Sequence, residues 1–318
     1  MGFLRFLEGV RSPLVSALMA AVTYFGDETV FMALALAVFW CVSKRQGYYI
    51  FAVGLGGTVV NQWLKLAFRV PRPWVLDPGF TIVESARAGA TGYSFPSGHT
   101  QNVVGTLGCL ALANRQTWLR VLCAAFLVLV PFSRMYLGVH TPLDVGAAFL
   151  TAAVLVLALW RCFRDDGAFR RSIWTVLWAM LALAACYAAW ASLTAFPAGA
   201  DAENVAHGIK NGWTLLGCVL GLIASRWYDE KKLRFDVRAP FWGQAGKLTL
   251  GLALLLGVRA GLKPVLNALF QGSAAADHPT LYLMVTSGLR YFLMVVFALC
   301  IWPMTFPLFA GRKKRGLS

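Results

Sequence analysis

The sequence predicts an all-α fold, a polytopic bundle of membrane helices, and three observations predict it. Of the 318 residues, 58% are hydrophobic and only 14% are charged, where soluble domains carry about a quarter. The mean hydropathy is +0.64. Runs without a single charge, at 121–133, 145–160 and 173–200, approach or exceed the roughly 20 residues that cross a bilayer as helix. Finally, no stretch shows the alternation of a membrane barrel, whose strands repeat about every ten residues, and backbone in lipid must satisfy its own hydrogen bonds. Helices meet that requirement within one segment.

The elements follow in order. Residues 1–25 mix apolar positions with Glu8 and Arg11. These early charges interrupt a secretory leader and no clean small-residue cleavage site follows, so the segment reads as an amphipathic entry helix on the membrane surface. Nine candidate spans come next, at about 29–43, 48–68, 98–114, 118–136, 142–160, 172–196, 210–226, 247–270 and 280–310, separated by charge clusters or by Pro and Gly. The first six, in residues 26–196, form the expected core. The last three, in 197–318, form a C-terminal transmembrane extension with a basic tail, RKKR at 312–315. Seven cysteines at 41, 109, 123, 162, 186, 218 and 300 show no CxxC pairing and read as free core thiols without a metal role.

Charge sets the orientation. When the spans are counted alternately, Lys44/Arg45, Arg115/Arg120, Arg161/Arg164/Arg170/Arg171, the run Arg226 to Lys247 and the tail all emerge on one side, together 18 of the 29 basic residues. The excess of positive charge assigns that side, and with it the C-terminus, to the cytoplasm. The net charge of +15 is explained by topology and by attraction to anionic lipids, with no nucleic acid required.

Three patches emerge on the opposite face. KLAFRVPRP (65–73) ends the second span, FPSGHT (95–100) opens the third, and SRMYLGVHTPLD (133–144) joins the fourth to the fifth. Lys65, Arg72 and Arg134 are cations that repel one another unless an anion sits among them, and a phosphate fits that description. Lys65 and Arg69 have a plainer reading as residues snorkelling from a helix end. Ser97 reads as an N-cap and Gly98 as a point where backbone approaches a ligand, so the helix opens with unpaired N–H groups, a ready anion site. Thr141 as N-cap and Pro142 at the first helical position put Asp144 in the first turn, where it caps. It also lies four residues after His140, within reach of the imidazole. A carboxylate on one ring nitrogen leaves the other free to attack. With His99 as proton donor, the set suggests phosphoryl transfer.

Lys65 to Pro73 fits KxxxxxxRP, Pro96 to His99 fits PSGH, and Ser133 to Asp144 fits SRxxxxxHxxxD. Together they resemble the three signature motifs of the phosphatidic-acid-phosphatase type 2 superfamily, which includes lipid phosphatases, undecaprenyl-diphosphate phosphatases, glucose-6-phosphatase and vanadium haloperoxidases. The resemblance covers roughly residues 25–195. It implies that His140 attacks phosphorus to give a phosphohistidine, Asp144 orients it, and His99 protonates the leaving group. It further implies that Lys65, Arg72, Ser97, Gly98 and Arg134 hold the phosphoryl oxygens, with no metal and no cofactor.

The extension lies outside the resemblance to the core. Arg259, Lys263 and Arg290 fall inside its last two spans without an acidic neighbour, and are expected to face the protein interior. The expected activity is hydrolysis of a lipid phosphate or diphosphate at the outer leaflet of the plasma membrane. The expected partners are the lipid substrate and anionic lipids, with a homodimer as a candidate assembly. Two alternatives stay open: a lipid transporter or scramblase on the same scaffold, and a glucose-6-phosphatase-like hydrolase of a soluble ester.

Overall fold

A computed structural model describes residues 1–270 and 277–310. Among the described residues all regular structure is helical. The helices are α1 Gly2–Gly9, α2 Pro13–Thr23, α3 Glu28–Cys41, α4 Lys44–Phe68, α5 Pro73–Leu76, α6 Gly98–Ala113, α7 Thr117–Tyr136, α8 Pro142–Phe163, α9 Asp166–Leu193, α10 Ala202–Tyr228 and α11 Phe241–Ala268. The last is α12, Pro279–Phe309. The basic tail at 312–315 lies outside the described residues.

A helix stands at each of the nine expected positions, yet they do not qualify equally as spans. By length and hydropathy α7, α8, α9, α11 and α12 can cross a membrane, and α2 with α3, bent by 49°, makes a sixth. The protein is therefore a multi-pass membrane protein. Helices α4, α6 and α10 fall short of that test: α6 has only 16 residues, and all three include polar residues. They carry Asn61, Gln62 and Lys65, then His99, Gln101 and Asn102, then His207 and Asn211, all of which line one cavity. Polar side chains at membrane depth face a protein-lined cavity because lipid offers them no partners.

The chain forms two compact units, Met1–Ala35 with Tyr49–Gly212, and Leu36–Tyr48 with Trp213–Ser318. The boundary expected from sequence lies between 196 and 197, so the first unit takes in the opening turns of α10. Those turns seat closely. A Cβ on Gly208 would stand 2.7 Å from three atoms of the Leu66 side chain in α4, and Tyr187 Oη of α9 donates to the Gly208 carbonyl at 2.9 Å. Only a residue without a side chain lets α10 approach α4 at this depth.

Within the first unit α6 packs against α7 and α8, burying Val103, Val104, Val130 and Ala152 in one cluster. Trp63 of α4 stacks on Trp190 of α9 at 5.6 Å between ring centroids. Where one entry helix is expected, two form, because Ser12 caps a new helix with Pro13 at its first position. Helix α1 turns Leu4 and Leu7 inward, and Leu7 joins Ala86, Tyr136, Leu137 and Val139 in a cluster. Its charges bind the loop after α5. Arg5 pairs with Asp77 at 2.6 Å, Glu8 accepts from the Thr81 amide at 2.8 Å, and Arg11 donates to the Thr81 carbonyl at 2.7 Å.

In the second unit Trp40 donates to the Ala298 carbonyl at 2.9 Å, and Trp302 donates to that of Lys247 at 3.1 Å. Lys44 pairs with Asp229 at 2.7 Å and Arg226 pairs with Glu230. Part of the basic belt read as lipid-facing is thus neutralised within the protein. Two further expectations are corrected. Arg259 and Lys263 are exposed rather than interior, whereas Arg290, half-buried over the Tyr291 ring, keeps its Nε inside the protein. Long cationic side chains on a helix rim reach outward when no buried acceptor awaits them. Among the seven cysteines, all free, Cys186 is exposed and Cys41 and Cys162 are only partly buried.

Candidate active site

The three motifs converge in the first unit. A cavity of about 300 Å³ is lined by Lys65 from the end of α4, Arg72 before α5, Gly98 and His99 from the first turn of α6, and His140 before α8. Ser97, Arg134 and Asp144 stand behind that wall, each buried to 1% exposure or less.

Local sequence builds each corner. Ser97 caps α6, its hydroxyl accepting from the Thr100 amide at 3.4 Å, and its own amide donates to the Asp144 carbonyl at 3.0 Å. That bond ties the second motif to the third. Gly98 leaves open space, since a Cβ built there would meet nothing within 4 Å. Asp144 completes a capping box with Thr141: its Oδ2 accepts from the Thr141 amide at 2.7 Å, and its amide donates to Thr141 Oγ1 at 3.3 Å. The same Oδ2 accepts from Ser94 Oγ at 2.7 Å and stands 3.6 Å from His140 Nδ1. Ser94 Oγ lies 3.5 Å from that nitrogen, so hydroxyl and carboxylate together face the Nδ1 edge.

The other edge meets a cation. His140 Nε2 lies 3.0 Å from Arg72 Nη1. Arg72 is held by three carbonyls, those of Gly92 at 3.1 Å, Thr91 at 2.7 Å and Val139 at 3.0 Å. Gly92 offers its carbonyl from a backbone with φ +68°, a region glycine enters at little cost. Burial lowers the Arg72 guanidinium to about 10, which leaves it charged at neutral pH. His140 is driven well below its ordinary range, first by burial and then by Arg72, Arg134 and Lys65, so the imidazole is held neutral. Lys65 is buried rather than snorkelling and donates to the Tyr93 carbonyl. Arg69 is half-buried, bonded to the Leu66 carbonyl at 2.9 Å, and does not line the cavity.

Arg134 donates through Nη1 to Thr23 Oγ1 at 2.8 Å. Its carbonyl accepts from the amides of Val139 and His140, which fixes the loop that presents the imidazole. Its Nε and Nη2 are buried and find no acceptor in the protein. Buried guanidinium donors are costly to leave unpaired, and an oxyanion satisfies them.

Sequence reasoning missed several lining groups. Asp27 and Glu28 of the α3 start reach the cavity, so its wall is not wholly cationic. Acidic residues favour a first helical turn, where they meet the positive end of the helix dipole. Ser94 lies just outside a motif and carries no signal of its own. His207 and Asn211 come from α10, beyond the expected core. A signal for His207 existed: the chain has only four histidines, and this one stands at the head of a span on the same face as His99 and His140.

Comparison with known proteins gives the same direction. A model of the PAP2 superfamily matches residues 45–168, and a model described as PAP2 superfamily phosphatase, transmembrane extension, matches 213–314. The chain is 29% identical over 134 residues to undecaprenyl-diphosphatase BcrC of Bacillus subtilis, a stretch covering 41% of this chain and 66% of that protein. It is 29% identical over 138 residues to an undecaprenyl-diphosphatase of Sulfolobus acidocaldarius, covering 43% and 65%. The chain thus spans just under two thirds of the length of either relative. The crystal structure of Aquifex aeolicus LpxE aligns with 49% of this chain and 92% of that one at 23% identity and a TM-score of 0.43. Two models of one superfamily, one over the motif-bearing helices and one over the extension, account for most of the sequence, and the chain belongs to the PAP2 superfamily.

Proposed function

We propose that the protein is an integral-membrane phosphatase that hydrolyses a lipid phosphate or diphosphate at the extracytoplasmic leaflet, through a phosphohistidine intermediate and without a metal. The observation that carries this reading is the pairing of His140 Nε2 with Arg72 Nη1 at 3.0 Å in a cavity shared with Lys65 and His99. A neutral imidazole there presents an Nε2 lone pair that accepts from Arg72, a donor that a bound phosphoryl group would take over. Ser94 and Asp144 at the Nδ1 edge hold the ring proton on that side and stabilise the cation that forms.

In the first step Nε2 bonds to phosphorus on the side opposite the leaving oxygen. The P–O bond breaks, and His99 transfers to that oxygen a proton it takes up once the anionic substrate offsets the burial and the cations that otherwise depress it. In the second step water attacks phosphorus, His99 takes up its proton, and the P–N bond breaks to release phosphate. Arg72, Lys65 and the Gly98 amide stabilise charge on the equatorial oxygens. Arg134 adds charge from behind the wall. The metal-free reading is supported by side chains that already provide the positive charge. The leaflet reading is supported by the basic residues that the sequence gathers on the opposite face. The relatives' printed activity, undecaprenyl-diphosphatase, supports a lipid diphosphate over a soluble ester.

The test is phosphate release by purified protein from a panel of lipid phosphates and diphosphates, with EDTA present and His140→Ala as control. Turnover in EDTA that vanishes in the variant is expected. Loss of wild-type turnover in EDTA overturns the metal-free mechanism, and full turnover by His140→Ala overturns the nucleophile.

A further inference from the structure

The cavity wall contains a histidine–amide pair that no motif accounts for. His207 and Asn211 lie one turn apart on α10, and Asn211 Nδ2 stands 3.2 Å from His207 Nδ1. The amide nitrogen can only donate, so Nδ1 accepts and the ring proton sits on Nε2, which is then a fixed donor. The loop 88–92 runs close to this donor. A Cβ built on Gly89 would lie 3.9 Å from His99 Cε1, and one built on Gly92 would lie 3.5 Å from His207 Nδ1. The loop therefore passes near the proposed proton donor and, three residues later, near His207, while its Thr91 and Gly92 carbonyls accept from Arg72. His207 thus shares the cavity with His99, the proposed proton donor to the leaving group.

The same stretch of α10 is fastened to the motif loop. The Asp201 amide donates to Tyr93 Oη at 3.1 Å, and the Tyr93 carbonyl accepts from Lys65. Gly208, the residue after His207, seats against Leu66. A side chain facing a cavity and oriented by the Asn211 amide is arranged for recognition and not for filling a core.

We propose that His207, oriented by Asn211, is a specificity-determining residue that donates Nε2–H to an acceptor oxygen on the leaving group, so that the site prefers substrates whose departing portion is rich in oxygen. The oxygen can belong to a second phosphate or to a hydroxylated headgroup. The assignment rests on the phosphatase reading for its biological meaning but is testable without turnover.

The experiment is calorimetric titration of the purified full chain, wild type, His207→Ala and His207→Gln, with orthophosphate, pyrophosphate and glycerol phosphate. The readout is the ratio of affinities. Wild type is expected to bind pyrophosphate more tightly than orthophosphate, and His207→Ala to reduce that preference by about 10- to 100-fold, the usual effect of losing a hydrogen bond to a charged group. His207→Gln, whose amide also donates, is expected to recover most of it. A loss confined to pyrophosphate identifies a second phosphate as the acceptor, whereas a loss shared by glycerol phosphate identifies hydroxyl oxygens. The proposal is overturned if His207→Ala weakens all three ligands by one common factor, as a merely structural residue would, or if wild type shows no preference. A wild type that shows the preference yet releases no phosphate from any lipid refutes the phosphatase reading alone.

Discussion

Arg72→Lys separates charge from geometry at the centre of the site. The substitution keeps the positive charge and removes the planar fork. In the wild type that fork makes three bonds to carbonyls, at 3.1, 2.7 and 3.0 Å, and still reaches His140 Nε2 at 3.0 Å. An ammonium on a flexible stem has no such fork, so at least two of the four contacts are lost and carbonyls of Thr91, Gly92 or Val139 lose that donor. Each bond to a charged group contributes about 1.5–3 kcal/mol, so the combined loss is about 3–6 kcal/mol, shared between stability and transition-state binding. Removing a single well-placed oxyanion donor already costs about 10²–10³ in rate. The expected result is therefore a fall in kcat/KM of about 10²–10³ for phosphate release, with a lower midpoint for thermal unfolding in detergent. A variant within threefold of wild type would refute the reasoning, because charge alone would then suffice.

Two other outcomes are expected. Asp144→Asn removes the carboxylate that accepts from Ser94 and the Thr141 amide and faces His140 Nδ1; steady-state kinetics should show kcat reduced by at least about tenfold through loss of charge beside the imidazolium, and a wild-type kcat would exclude that role. The pH profile of kcat/KM, which reports the free enzyme, should stay level on acidification through about 6.5, the ordinary imidazole value, because burial and the neighbouring cations depress His140. A depressed group lends stability above its unfolded pKa and loses it as pH falls through the folded one, so unfolding midpoints should drop only at pH values below about 6.5. An acid limb centred at or above that value contradicts a neutral buried imidazole.

Much of the site was legible because its chemistry is local in sequence. The capping of α6 by Ser97 and of α8 by Thr141 with Asp144 follows from residue type and spacing alone, since a cap bonds amides two or three residues away. Contacts across the loop 88–94 were illegible for the opposite reason. Ser94 meets Asp144 fifty residues on, and His207 meets Gly92 across more than a hundred, distances at which no periodicity carries information. Buried position was equally hidden: Lys65 could have snorkelled, and Arg259 and Lys263 could have turned inward. The backbone around each, and not the residue type, set the outcome.

By itself the sequence determined that this chain is a membrane helix bundle with a phosphate-seeking set of residues on one face, because hydropathy and cap chemistry act over a few turns of one helix. Tertiary structure alone decided which of those residues share a cavity. It placed Arg134 and Asp144 behind the wall and brought α10 in to supply His207, because the close seat of Gly208 on Leu66 is a packing fact between distant segments.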